Sequence, residues 1–299
     1  MSALHEKAVL VSLKGSTWKA TVPSKKGTKA TAETHETTEE WVTTSVRLVK
    51  KDVLEGPKKE LGAARNYLDG KTVGPVSGKT IGGLPLWDNG RRILPNALNE
   101  TVSRDLGEFQ SRFFDRVDDL RAALPSAIDA ARAANPKLFK EADYGSIDDI
   151  IERYTFSVEY DLIPDANDIR VDASKEFVDS LRAEVQGRSD RKLKEVTDKA
   201  TSTIIAVAGH FAERCEVFDP ENKGKSPFRN STVEKVRDLI NVIPALNING
   251  DARIEKARQD LIGVVGNKSA KEFRENDNAR EDAAAKARAV ADNISNLFD

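Results

Sequence analysis

Between Lys7 and Ala32 the chain carries six lysines, Lys7, Lys14, Lys19, Lys25, Lys26 and Lys29, and no carboxylate. Trp18 falls among them, and the other two tryptophans, Trp41 and Trp87, also lie in the first hundred residues. Single-stranded nucleic acid is held by cationic side chains that follow its phosphates and by aromatic faces on which its bases stack. Lys14, Trp18, Lys19, Lys25, Lys26 and Lys29 supply both chemistries within one expected hairpin, and Lys71, Lys79, Arg91 and Arg92 extend the cationic path. The competing reading is an edge hairpin kept soluble by its lysines, with its tryptophans packed in a core. Arg188, Arg191, Lys192 and Lys194 form a second basic cluster, which reads as the solvated face of a long helix.

Other chemistry is harder to assemble. Gly74-Pro-Val-Ser-Gly78-Lys79-Thr80 resembles the end of a phosphate-binding loop, but Val73 stands where the motif's first glycine belongs. Ile81-Gly-Gly-Leu-Pro85 cannot open the helix whose N-terminal amides would hold the phosphate. His5, His35 and His210 share no metal-ligand spacing, and His210, beside Phe211, reads as a packed or satisfied polar residue. Cys215 lies on an apolar stripe and reads as a small buried hydrophobe rather than a nucleophile. Asp118-Asp119 and Asp148-Asp149 are adjacent, and neighbours in sequence do not face each other on a helix. The expectation is a protein without a catalytic site, metal or other cofactor.

The elements that would position these residues follow from periodicity. Val9, Val11 and Leu13 alternate as in a strand, Trp18–Val22 is a second candidate, and Trp41–Val49 a third, with Pro23–Gly27 as a basic turn. A short helix is expected over 57–69, then a loop with six glycines between 70 and 92 that ends in a hairpin around Asp88-Asn-Gly90. From residue 96 the period becomes helical. Leu98, Phe109 and Leu120 stand eleven apart, as do Leu193, Ile204 and Cys215, about 3.67 residues per turn. These stripes predict two long helices, 96–133 and 174–217, the second capped by Ser174, paired as an antiparallel coiled-coil-like arm with a small insert at 144–172. Helices over 232–243, 252–265 and 270–297 follow a solvent loop at 219–228, and the last helix, rich in Ala and charge, needs a partner. The fold class is therefore α+β and predominantly helical, in three consecutive parts: a β-rich basic region 1–95, the arm 96–218, and C-terminal helices 219–299.

Composition agrees. Charged residues make up 32% of the 299, which suits extended solvated helices, and Lys+Arg exceed Asp+Glu by 16 to 11 in the first hundred residues but fall short by 31 to 38 afterwards. This asymmetry points to a polyanionic partner for the N-terminal part. No apolar run is long enough to span a membrane, and one cysteine fits a reducing compartment, so a cytoplasmic protein is expected. At the end of the chain, acids around Ile294, Leu297 and Phe298 resemble the docking tips of some single-stranded-DNA-binding proteins.

Leu84-Pro-Leu-Trp-Asp-Asn-Gly-Arg-Arg-Ile-Leu-Pro95, then Phe109, Phe113 and Phe114, then Asp143-Tyr144 and Phe156-Ser-Val-Glu-Tyr160, resemble a phage-encoded family of uncharacterised proteins over roughly residues 40–220. The resemblance implies a phage protein of DNA metabolism acting in the host cytoplasm. The whole is also similar in kind to the single-stranded-DNA-binding cofactors that bring phage RNA polymerase to opened promoters, with no site residue transferable from them. Together these readings predict a non-enzymatic single-stranded-DNA-binding homo-oligomer, a transcription or replication cofactor with phage RNA polymerase or replication proteins as partners. The alternative is an oligomeric assembly protein with no nucleic-acid role.

Overall fold

The computed structural model describes residues 4–219, 221 and 227–298. In chain order its elements are α1 (Leu4–Lys7), β1 (Ala8–Ser16), β2 (Thr21–Pro23), α2 (Lys25–Thr34), β3 (Ser45–Arg47), α3 (Glu55–Leu68), β4 (Arg91–Pro95), α4 (Asn99–Ala134), α5 (Ile147–Ile151), β5 (Thr155–Asp161), α6 (Lys175–Glu216), α7 (Asn230–Leu246), α8 (Ala252–Val265), α9 (Ala270–Glu275) and α10 (Asp277–Phe298). Helix accounts for 63% and strand for about 10%, so the fold is α+β and predominantly helical.

The chain divides into two compact units: residues 1–12, 67–103 and 160–299 form the first, and residues 13–66 and 104–159 the second. The expected boundaries at 95/96 and 218/219 do not follow this division, because each unit draws on stretches far apart in sequence.

In unit one, the first half of β1 pairs antiparallel with β4, Ala8 opposite Pro95 and Ser12 opposite Arg91. Leu10 and Ile93 are fully buried there beside Trp87, Ile163 and Val196. The larger core is helical. Val196, Ala200, Ile204, Phe211 and Cys215 of the α6 stripe are all buried, and α6 packs against α7, α8 and α10. Phe211, Phe228 and Phe273 meet with ring centroids 5.7–6.1 Å apart. The alanine-rich α10 finds its partners in α6 and α8, burying Ala283, Ala287, Val290 and Ile294.

Unit two contains the second half of β1, where Ser16 bonds Thr155 at the start of β5, and the two-stranded ribbon of β2 and β3. From residue 104 onward the α4 stripe is buried at Leu106, Phe109, Phe113, Val117, Leu120 and Leu124, with Phe113 against Phe156 at 5.4 Å and near Tyr154. Tyr144 closes the unit by donating to Leu48 O at 2.7 Å.

Several expectations are corrected. The antiparallel arm is absent: the α6 stripe faces α7, α8 and α10, and the α4 stripe faces Tyr154 and Phe156. An eleven-residue repeat specifies that a stripe is buried, and leaves its partner to the fold. The segment 144–172 is no arm-tip insert, since β5 within it lies next to β1 in the strand order β4-β1-β5. Pro23–Gly27 is not a hairpin turn but the start of α2, because the Ser24 side chain caps the Gly27 amide at 3.1 Å and Lys and Ala follow. Gly27 is needed there, as a Cβ would sit 2.5 Å from Thr44 Oγ1. The strands expected over Trp18–Val22 and Trp41–Val49 shrink to three residues each. Pro244 lies inside α7, and Asn276 splits the final helix in two. The solvent loop expected at 219–228 falls largely outside the described residues, although Phe228 at its end is buried.

Truncating Phe211 to Ala should cost about 3–5 kcal/mol of stability, the usual range for a fully buried Phe. The same change at Phe177, 56% exposed on the same helix, should leave the denaturant midpoint near its wild-type value. Urea unfolding of the two variants checks this.

Candidate nucleic-acid interface

The ten residues expected to contact nucleic acid separate into two groups, one in each unit. In unit two, Lys14 on β1 is 65% exposed but pairs with Glu159 at 2.6 Å. Lys19 is exposed on the segment between β1 and β2. Trp18, read as a stacking platform, is only 5% exposed and belongs to the core. A ring that is already enclosed by protein has no face to offer a base, so the core reading of this tryptophan is correct.

Lys25, Lys26 and Lys29 occupy the first half of α2, and all three are exposed. Lys29 reaches Glu33 at only 3.9 Å, whereas neither Lys25 nor Lys26 meets a carboxylate among the described residues. No acid stands in the first turn. A helix N-terminus already carries a partial positive charge, so lysines there repel it and one another, and a bound anion relieves both terms. Beyond the helix, Glu36, Glu39 and Glu40 follow Glu33 and end the cationic surface at the helix's C-terminal half.

The aromatic group that remains is Trp41, 82% exposed on the loop that leaves α2 and returns to it, where Thr44 bonds Ser24 and Thr28. The sequence reading took Trp41 as the start of a strand. The available signal was its setting, Thr37-Thr-Glu-Glu-Trp-Val-Thr-Thr44, in which Val42 is the only apolar neighbour to pack against.

Of the four candidate cations in unit one, Lys71, Arg91 and Arg92 are occupied. Lys71 binds Asp69 at 2.9 Å, and Arg92 binds both Asp69 and the Leu84 carbonyl, the latter at 2.8 Å. The Lys71 hydrogen bond, and then the charges of Arg92 and Lys71, hold the Asp69 carboxyl below its ordinary range against the opposing effect of burial. Arg91 pairs with Asp88 and lies 3.9 Å from Asp161. These arginines and Lys71 fasten the glycine-rich segment. Gly70 and Gly83 cross it so closely that a Cβ on Gly70 would lie 2.2 Å from the Gly83 nitrogen. Lys79 is exposed, and the segment after it is irregular rather than helical. In the second basic cluster, Arg188 and Lys192 pair with Glu184 and Glu195 along one helix face.

Among the described residues no group of three or more His, Cys, Asp or Glu side chains could hold a metal. Burial pushes the Cys215 thiol up to about 12, as expected for an inert core cysteine. The docking tip is altered, because Ile294 is buried in the helical core, and the side chains of Leu297 and Phe298 lie outside the described residues. No described helix is long and apolar enough to cross a membrane. Comparison with protein-family models, curated proteins and solved structures finds no match to this chain.

Trp18→Ala should lower stability by about 3–5 kcal/mol, whereas Trp41→Ala should leave the melting temperature unchanged. Differential scanning calorimetry of the pair tests the assignment. Arg92→Ala, which strips the Leu84 carbonyl of a donor and Asp69 of a cation, should cost about 1–3 kcal/mol in the same assay. Cys215 should resist a disulfide reagent at mildly alkaline pH in the native protein and react fully in denaturant.

Proposed function

We propose that this chain is a non-enzymatic protein that binds single-stranded DNA through the lysine-bearing half of α2 in unit two. The observation that carries the reading is the placement of Lys25, Lys26 and Lys29 at the positive end of a helix with no acid in its first turn. Lys25 and Lys29 are four apart and share a face, and Lys26 adjoins it. Exposed Trp41 on the returning loop supplies the aromatic surface that base stacking requires. The acidic run from Glu33 to Glu40 limits the contact to a few phosphates. A role as a phage-type transcription or replication cofactor, with a polymerase or replication protein as partner in a host cytoplasm, rests on the sequence resemblance and forms part of this proposal.

A second reading, an oligomeric assembly protein, is favoured by one observation. The first half of α6, from Lys175 to Lys192, buries no side chain, and Phe177 is 56% exposed on it. Analytical ultracentrifugation of wild type and Phe177→Asp distinguishes the readings: an oligomer dissociated by that change, in a protein that binds no oligonucleotide, assigns the assembly role.

Changing Lys25, Lys26 and Lys29 together to Ala should weaken binding to every single-stranded sequence. It should also lower the log–log salt slope by about 2, at roughly 0.7 per lost phosphate contact. Trp41→Ala should cost about 1–3 kcal/mol of affinity with the slope nearly unchanged. Fluorescence anisotropy over a salt series reads both. Absence of binding at low salt, or a triple variant that binds like wild type, sinks the proposal.

A further inference from the structure

On the other side of the sequence, within unit one, a cavity of about 330 Å³ opens where α6 meets the start of α7. Its lining includes His210 and Arg214, one turn apart on α6, Arg229 at the N-cap of α7, and Ser231, Thr232 and Lys235 in the first turns of α7. All the charged or titratable side chains of the lining are cationic or imidazole, and no carboxylate belongs to it among the described residues. Among the described residues none of His210, Arg214, Arg229 and Lys235 forms an ion pair there, in a protein where the arginines and lysines of unit one are commonly matched to acids. Gathering such groups around one cavity is unfavourable unless an anion joins them.

Two features of α7 give the cavity the character of a built site. The N-cap residue Arg229 provides no side-chain cap of the kind that Ser24, Ser174, Asp251 and Ser269 supply to α2, α6, α8 and α9, and the Thr232 amide of this 17-residue helix turns instead to the Arg229 carbonyl at 3.0 Å. Helix N-termini of this kind bind oxyanions. The second feature is independent of the first. Thr232 is only 7% exposed and lines the cavity, and its hydroxyl makes no hydrogen bond to another described residue.

Buried helical threonines normally bond the carbonyl four residues back. Thr197 and Thr201 in α6 do so, at 3.0 and 2.9 Å. For Thr232 that carbonyl belongs to Phe228, and Arg274 Nη1 already donates to it at 2.9 Å. Thr232 makes no such bond among the described residues, and its hydroxyl stays available at the cavity.

We infer that this cavity binds a phosphate group, held by Arg214, Arg229 and Lys235, by the first turn of α7, and by the hydroxyls of Thr232 and Ser231. Two guanidinium forks suit the several oxygens of a phosphoryl group better than the two of a carboxylate. The group reaches the site either as free phosphate or as the terminal phosphate of a nucleotide or of a nucleic-acid end. The inference does not depend on the α2 interface, which lies in the other unit.

The full chain should be titrated with inorganic phosphate by isothermal calorimetry at constant ionic strength, with chloride as the reference anion. Saturable binding of one phosphate is expected. The double variant Arg214→Gln/Arg229→Gln should abolish it. Thr232→Val, isosteric but without the hydroxyl, should weaken it about tenfold or more, the factor expected for one hydrogen bond to a charged group. Because the native hydroxyl makes no hydrogen bond to another described residue, Thr232→Val should not lower the melting temperature in phosphate-free buffer, whereas a purely structural threonine would show the reverse pattern. The Lys25/Lys26/Lys29→Ala variant must still bind phosphate, which separates this site from α2. Tighter binding of a 5′-phosphorylated oligonucleotide than of its 5′-hydroxyl counterpart assigns the site to a nucleic-acid end. Tighter binding of a nucleoside monophosphate than of phosphate assigns it to a nucleotide, and equal binding assigns it to the free ion. Absence of phosphate binding to wild type, or binding unchanged by the double variant, overturns the inference.

Discussion

The contact among Phe211, Phe228 and Phe273 organises unit one. Three rings from α6, from the segment before α7 and from α9 meet largely edge to face, the arrangement their quadrupoles favour. Phe218 joins through Phe228, and the Arg280 guanidinium lies 5.0 Å over the Phe218 ring. Anchoring Phe228 in this way fixes where the chain enters α7 and so holds the first turn of α7 beside the last turns of α6. Arg274, carried on α9 next to Phe273, then caps the Phe228 carbonyl. The same packing that buries the rings places the Phe228 carbonyl against Arg274 and brings His210 and Arg214 to the mouth of α7. Core and cavity therefore have one physical origin.

Unit two depends on a comparable but separate device. Phe113 packs on Phe114, Tyr154 and Phe156, and Tyr144 hydrogen-bonds across to the backbone at Leu48. The β2–β3 ribbon and α2 are held mainly by polar contacts of Ser24, Thr28 and Thr44 rather than by a wide apolar face, since Ala32 alone is buried on α2. Such an element has little reason to exist for packing. Its exposed lysines and the neighbouring Trp41 are features that a role at the surface explains and a role in the core does not.

The two cationic regions differ in kind. On α2 the charges are exposed, so their interactions are screened by salt. In the α6–α7 cavity they converge around a small volume, with one buried hydroxyl, an arrangement suited to a single compact anion. Elsewhere the arginines serve the fold itself. Arg92 fastens the glycine-rich segment, and Arg253 and Arg258 pair with the capping and first-turn acids of α8, depressing Asp251 below its ordinary range and Glu255 to about 2.

The sequence by itself determined the helices and much of what they bury. The 3.67-residue stripes of α4 and α6 came out buried almost position by position, Ser174 caps the helix it was expected to open, and Gly70 and Gly266 adopt the positive φ that ends α3 and α8. These features are legible because capping and amphipathic burial are set by residues a few positions apart. What tertiary structure alone decided was which face met which. A stripe reads the same whether its partner is α4 or α10, so the expected arm dissolved into two separate cores. Trp18 and Trp41 are equally plausible as platforms in sequence, but one is enclosed and the other is not. Arg92 and Lys25 are alike in charge, yet Asp69, 23 residues away from Arg92, claims one, and no described carboxylate claims the other. The α6–α7 cavity was not legible at all, because it depends on α6 and α7 residues 15 to 25 apart converging and on the Phe228 carbonyl meeting an arginine 46 residues downstream.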